Sequence, residues 1–147
     1  MSVSLLYAEK GSNMKINMET DYALRIMRCL ANQNAVTDAK TISELVEVSQ
    51  RFTLKILGKL VAGGVIISYK GANGGYQLSR PADQITLRQV IEIVEGPLVI
   101  SRCLAEDFVC RHDSEHDTCG CFFNRVFDEI NIMIAAKLDS VTIADSL

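Results

Sequence analysis

The stretch 103-CLAEDFVCRHDSEHDTCGC-121 gathers four of the chain's five cysteines and both of its histidines into nineteen residues. Thiolates and imidazoles are the ligands that soft and borderline metals select. Three thiolates converging from one loop can hold an iron–sulfur cluster, because sulfur stabilises both oxidation states of iron. The candidate ligands are Cys103, Cys110 and then Cys119 or Cys121. Six residues lie between Cys103 and Cys110, and eight more precede Cys119, or ten precede Cys121. His112 and His116 extend the donor set. Two other chemistries use the same residues. Four Cys and two His can build a tetrahedral zinc site. Alternatively, paired thiols oxidise directly, although Cys-Gly-Cys is short for an unstrained disulfide. Four cysteines in so short a span, beside acids and histidines, argue against an unliganded loop. Cys29 stands apart in an apolar helical pattern and reads as a small buried hydrophobe.

The elements that must carry this loop are legible from periodicity. From Asp21 the apolar positions Ala23, Leu24, Ile26, Met27, Leu30 and Ala31 recur at helical spacing. Thr41-Ile42-Ser43-Glu44 reads as a capping box opening a short helix that runs to about Glu47. Val48-Ser49 reads as a turn with Ser49 as N-cap. Phe52, Leu54, Ile56, Leu57, Leu60 and Val61 then mark a third helix, stopped at Gly63-Gly64. Two short helices joined by a tight turn, after a supporting helix, outline a helix-turn-helix. The residues Val65–Tyr69 and Tyr76–Leu78 are strand-like and flank the turn Gly71-Ala72-Asn73-Gly74-Gly75, which makes a wing. Thr86-Leu87-Arg88-Gln89 opens another helix, which ends at Gly96-Pro97. After the cysteines, Phe123, Phe127, Ile130, Ile134 and Leu138 stripe a long helix. Its apolar face has little left to pack against in so small a domain, so dimerisation is its natural outlet.

The fold class expected is mainly α with a small β-hairpin: a winged helix-turn-helix plus a long C-terminal dimerisation helix. Residues 1–13 read as an N-terminal extension or a remnant of expression. Residues 14–97 form the DNA-binding domain, residues 98–121 the cysteine-rich sensor loop, and residues 122–147 the dimerisation helix and tail.

Net charge is -3, yet it is unevenly spread. Lys40 to Arg80 holds six Lys/Arg against two acids, while Cys103 to Leu147 holds three against nine. One part therefore suits an anionic partner and the other does not. Gln50, Arg51, Thr53, Lys55 and Lys59 punctuate the third helix and suit phosphates and base edges in the major groove of double-stranded DNA. In the wing, Lys70, Asn73, Gly74, Gly75 and Tyr76 are the expected contacts, with Arg80 flanking. The plain alternative is a solvated helix face, and the hairpin and local positive charge argue against it. A dimer would set two recognition helices ~34 Å apart and favour a near-palindromic operator. An enzyme is not expected: there is no His-Glu-x-x-His helix, no phosphate-cradling glycine motif and no Cys-x-x-Cys at a strand-to-helix turn. Apolar runs fall far short of the ~20 residues that span a bilayer, and no secretory signal is evident, so a cytoplasmic protein without a membrane partner is expected.

Two segments, 14-MKINMETDYALRIMRCLA-31 and 71-GANGGYQLSRPADQITLRQVIEIVEG-96, resemble the Rrf-two family of bacterial winged-helix regulators, the family of IscR, NsrR and CymR. The resemblance runs from Met14 to Leu147. It implies a homodimer held by the C-terminal helix and a transcriptional regulator, expected to be a repressor, whose helix-turn-helix and wing sit on DNA. In many members three cysteines between the last two large helices bind a [2Fe–2S] or [4Fe–4S] cluster, while other members bind none. The helix register then favours Cys121 as the third ligand, with Cys119 extra or alternative. The family's histidine ligand, three residues after the last cysteine, is replaced here by Asn124. Asp21 falls where similar proteins place an acid ligand supplied by the partner, and a helix start also favours an acid there. The function implied is sensing of redox, nitric oxide or iron–sulfur status through the cluster. The alternative is a winged-helix regulator without one, controlled by zinc, thiol oxidation or a protein partner.

Overall fold

The computed structural model describes residues 16–106, 108 and 121–147. Helix α1, Met18–Gln33, begins earlier than the apolar repeat suggests, because Asn17 caps it by accepting the Thr20 amide at 3.0 Å. Thr20, Ala23, Ile26, Met27 and Leu30 form its buried stripe. Helix α2, Ala39–Val46, is capped by Asp38 rather than Thr41. The Asp38 carboxylate takes the Thr41 amide at 3.0 Å and the Thr41 hydroxyl at 2.6 Å, which occupies the hydroxyl expected to cap. Glu47 closes α2 in the left-handed region at φ 57. Ser49 caps helix α3, Gln50–Ala62, as its spacing predicts. Phe52, at the start of α3, packs edge-on against Tyr22 of α1 with ring centroids 5.9 Å apart.

Strands β1, Ile66–Tyr69, and β2, Gly75–Leu78, form the antiparallel wing, with Ile66 opposite Leu78 and Tyr69 opposite Gly75. The segment before α2 joins this ribbon. Thr37 and Tyr76 exchange backbone hydrogen bonds at 2.9 and 2.8 Å. Only glycine at position 75 permits that approach, since a Cβ there would lie 2.5 Å from the Thr37 carbonyl oxygen. Helix α4, Leu87–Glu95, opens with the expected capping box between Thr86 and Gln89. It ends at Gly96, at φ 96.

Helix α5, Phe122–Asp139, has no buried residue. Arg88 of α4 anchors it, pairing with Asp139 at 2.9 Å, and Asn131 accepts the Ile100 amide at 3.1 Å. The tail after α5 turns back into the winged-helix core. Ile143 donates its amide to Ile85 at 2.9 Å, Leu87 donates to Val141 at 2.9 Å, and the Ile143 side chain is buried among Ile85, Val90 and the α1 stripe. The C-terminal tail thus packs into the winged-helix core, although its place in sequence groups it with α5.

Candidate DNA interface and cysteine site

Helix α3 buries Thr53, Ile56, Leu57 and Leu60, so its outward face is the opposite stripe. Arg51 is exposed on that face, and Gln50 is exposed at the start of the helix. Thr53 is not: it is fully buried, and its hydroxyl has no hydrogen-bond partner among the described residues. Three residues before Ile56 and four before Leu57, it shares their side of the helix. The stripe also carries Leu54, which the apolar pattern assigns to the core and which is instead 44% exposed.

Lys55 and Lys59 lie on the flank facing α1 and α4. Lys59 Nζ is 2.9 Å from the buried Glu19 Oε1, a charge contact rather than a well-directed hydrogen bond. Lys55 Nζ is 3.4 Å from Glu19 Oε2. These ammonium groups, Lys59 foremost, hold the Glu19 carboxyl below the usual carboxylate range against the opposing effect of burial. Lys59 also donates to the Val94 carbonyl at 3.1 Å. Within this fold Lys59 is an internal strut, and Lys55 is shared between Glu19 and solvent.

In the wing, Lys70 and Asn73 are exposed near the tip. Gly75 is buried against Thr37, and Tyr76 packs on the core, so neither is presented outward as the sequence suggests. Gly74 is half-buried and serves the turn, donating its amide to Gly71 at 3.0 Å. Arg80 is committed to the protein, donating to the Gln84 carbonyl at 3.1 Å and to Gln89 Oε1 at 3.0 Å.

Cys103 and Cys121 are free, half-buried thiols at the two ends of the loop. Cys103 sits in a 3-10 turn, Arg102–Leu104, with its Sγ 3.1 Å from Ser101 Oγ. Cys121 is the residue before α5. Asn124, at the position of the missing histidine, donates its side-chain amide to the Cys103 carbonyl at 3.1 Å, which fastens the Cys103 turn to the first turn of α5. Cys110, Cys119, His112 and His116 lie outside the described residues. Among the described residues no three His, Cys, Asp or Glu side chains converge. Asp21 is exposed and pairs with Arg25 at 2.9 Å. Cys29 is half-buried in α1, and burial raises its thiol pKa.

The segment leading to Cys103 starts from a tightly held point. Glu95, the last residue of α4, accepts the Asn17 amide at 3.2 Å and the Thr20 hydroxyl. With Lys59 on the neighbouring Val94 carbonyl, the end of α4 is tied to the start of α1 and to the flank of α3.

Residues 16–147 match the Rrf2 family, described as an iron-dependent transcriptional regulator. The rrf2-like HTH-type transcriptional regulator of Rhodobacter capsulatus is 29% identical over 137 residues, 90% of this chain and 91% of that protein. Protein aau3 of Rhizobium meliloti is 35% identical over 91 residues, 61% of this chain and 59% of its own length. Among solved structures, CymR, the global cysteine regulator of B. subtilis, is similar with a TM-score of 0.66 and 28% identity, covering 90% of this chain and 95% of that one. IscR of T. potens is similar with a TM-score of 0.67 and 25% identity, covering 90% and 85%. Among the described residues no helix is long and apolar enough to cross a membrane. With a winged helix-turn-helix, a wing closed on the α2 segment and a family match across nearly the whole chain, this protein belongs to the Rrf2 family of transcriptional regulators.

Proposed function

We propose that this chain is a homodimeric repressor of the Rrf2 family that binds a near-palindromic operator and senses redox, nitric oxide or iron–sulfur status through its cysteine loop. The observation that carries the sensing role is the pair of free thiols, Cys103 and Cys121, at the ends of the segment joining α4 to α5. Their donor chemistry fits an iron–sulfur cluster, with Cys110 and Cys119 as the remaining cysteine candidates and Asp21 as the acid. Such a cluster, [2Fe–2S] or [4Fe–4S], supplies iron–thiolate bonds that oxidants and nitric oxide attack.

The rest is the work of the chain itself. Asn124 holds the Cys103 turn against α5. Glu95 and Lys59 hold the far end of α4 against α1 and α3. A rearranged loop therefore acts on two anchored helices, one proposed to form the dimer and the other packed beside the DNA-reading helix. A dimer fits paired half-sites at one spacing only, so a small shift between its reading helices changes affinity. The dimer reading is supported by α5, where Phe122, Phe123 and Met133 are 63%, 66% and 70% exposed. Phe127 and Ile130, predicted for the interface, are partly exposed on the same helix, while Ile134 and Leu138 are half-buried. Gln50 and Arg51 at the start of α3, with Lys70 and Asn73 at the wing tip, are the proposed DNA contacts. Lys55 is available only in competition with Glu19.

The test is purification without oxygen, a visible absorption spectrum, and counts of iron and acid-labile sulfide per chain, for the natural protein and for Cys103→Ala and Cys121→Ala. A coloured protein with both elements, and colourless variants, is the expected result. A colourless natural protein after reconstitution would remove the cluster and leave zinc, thiol oxidation or a protein partner as the control.

A further inference from the structure

The outward ridge of α3 carries an apolar, side-chain-poor strip where an ordinary solvated helix would carry charge. Arg51, Leu54 and Gly58 follow one another at i, i+3 and i+7, so they share the exposed side of the helix that faces away from Ile56 and Leu60, with Gln50 one turn before Leu54. Leu54 is 44% exposed in the middle of this strip. Gly58 is exposed too, and a Cβ built on it meets nothing within 4 Å among the described residues. It does not adopt a positive φ. Glycine inside a helix is unfavourable relative to alanine, and among the described residues no neighbour, turn or strained dihedral requires it here. Lys59 is held by Glu19 and the Val94 carbonyl, and Lys55, at the edge of the strip, is shared between Glu19 and solvent.

We infer that Leu54 and Gly58 determine operator specificity: Leu54 packs on the 5-methyl group of a thymine in the major groove, and Gly58 lets the helix approach the DNA more closely than any side chain would allow. This rests on the reading of α3 as the DNA-reading helix and adds the kind of base it reads. Apolar contact is how a protein detects thymine in that groove, because the methyl is the feature that cytosine lacks there. Arg51, at the positive N-terminal end of the helix, supplies the phosphate or guanine contact that holds the register.

The probe is a duplex selected from a random library by the natural protein. Each thymidine in it is then replaced in turn by deoxyuridine, which removes only the methyl. At one thymine per half-site the replacement weakens binding by the natural protein about fourfold, the worth of one buried methyl. The same replacement leaves Leu54→Ala binding nearly unchanged. Gly58→Ala melts at a higher temperature than the natural protein, yet binds the selected duplex about tenfold more weakly, the scale of forcing a methyl into a closed contact. A selected duplex with no Leu54-dependent thymine overturns the inference and leaves DNA reading by α3 standing. So does Gly58→Ala binding as tightly as the natural protein. If the library yields no enriched sequence, the reading of α3 fails and the inference with it.

Discussion

The Glu19 carboxylate lies 2.9 Å from the Lys59 ammonium, and the same ammonium donates to the Val94 carbonyl at 3.1 Å, so one residue of α1 and one of α3 together grip the end of α4. The Glu19 side chain is 17% exposed and that of Lys59 36%, an environment between surface and core. Glu19→Gln is expected to cost about 1 kcal/mol, the upper end for partly solvated pairs. The sign of the pH dependence follows from the lowered pKa of Glu19. Its contribution is present at neutral pH, above the unfolded pKa, and is lost as pH falls through the lower folded value. Urea midpoints for the natural protein and Glu19→Gln should therefore differ at pH 7 and converge in acid.

Asp38 caps α2 with both carboxylate oxygens, and the hydrogen bond from the Thr41 hydroxyl, then that from the Thr41 amide, holds its carboxyl below the usual range. Asp38→Ala should lower the melting temperature at neutral pH. Protonation removes the carboxylate's acceptor character, so the deficit should shrink as pH falls below the ordinary Asp range. A deficit unchanged in acid would show that Asp38 acts through something other than its charge.

Alanine at position 75 would press its Cβ on the Thr37 carbonyl and break the exchange of hydrogen bonds between Thr37 and Tyr76. Gly75→Ala is expected to cost about 2–3 kcal/mol, as overpacking does. Slowed amide exchange at Thr37 and Tyr76 in the natural protein should be lost in the variant.

The tail is a core element. Ile143 is 1% exposed, and Ile143→Ala is expected to cost about 2–4 kcal/mol in chemical unfolding, the usual range for emptying a buried isoleucine site. A cost near zero would mean that the tail docks without supporting the domain.

Met133 on α5 is 70% exposed, so a charge there should leave the folded chain intact. Met133→Glu is expected to convert the proposed dimer to a monomer in sedimentation, with little change in melting at high dilution. A variant that still sediments as a dimer would place the interface elsewhere.

Local chemistry was legible wherever it was complete within a few residues. Ser49 caps α3 and the Thr86–Gln89 box opens α4, because the side chain and the amide it satisfies are three positions apart. The glycine-bounded wing forms where its alternating strands and turn place it. Thr41 misled because Asp38, three residues upstream, is a competing cap of the same kind, and the stronger acceptor took the helix start. Thr53 and Leu54 exchanged roles because both faces of α3 carry apolar residues, and periodicity alone leaves the boundary of a buried stripe loose by one position.

By itself, the amino-acid order determined the helices, the wing and the sign of charge along the chain, since each depends on residue type and near spacing. Only the tertiary structure decided which cations are free and which face of α3 is exposed. Lys55 and Lys59 look alike in sequence to Arg51, yet Glu19, more than thirty residues away, draws them to the flank. Ile143 enters a core nearly sixty residues upstream of it, at Ile85. Such pairings depend on chain segments meeting after folding, and no local pattern encodes the meeting.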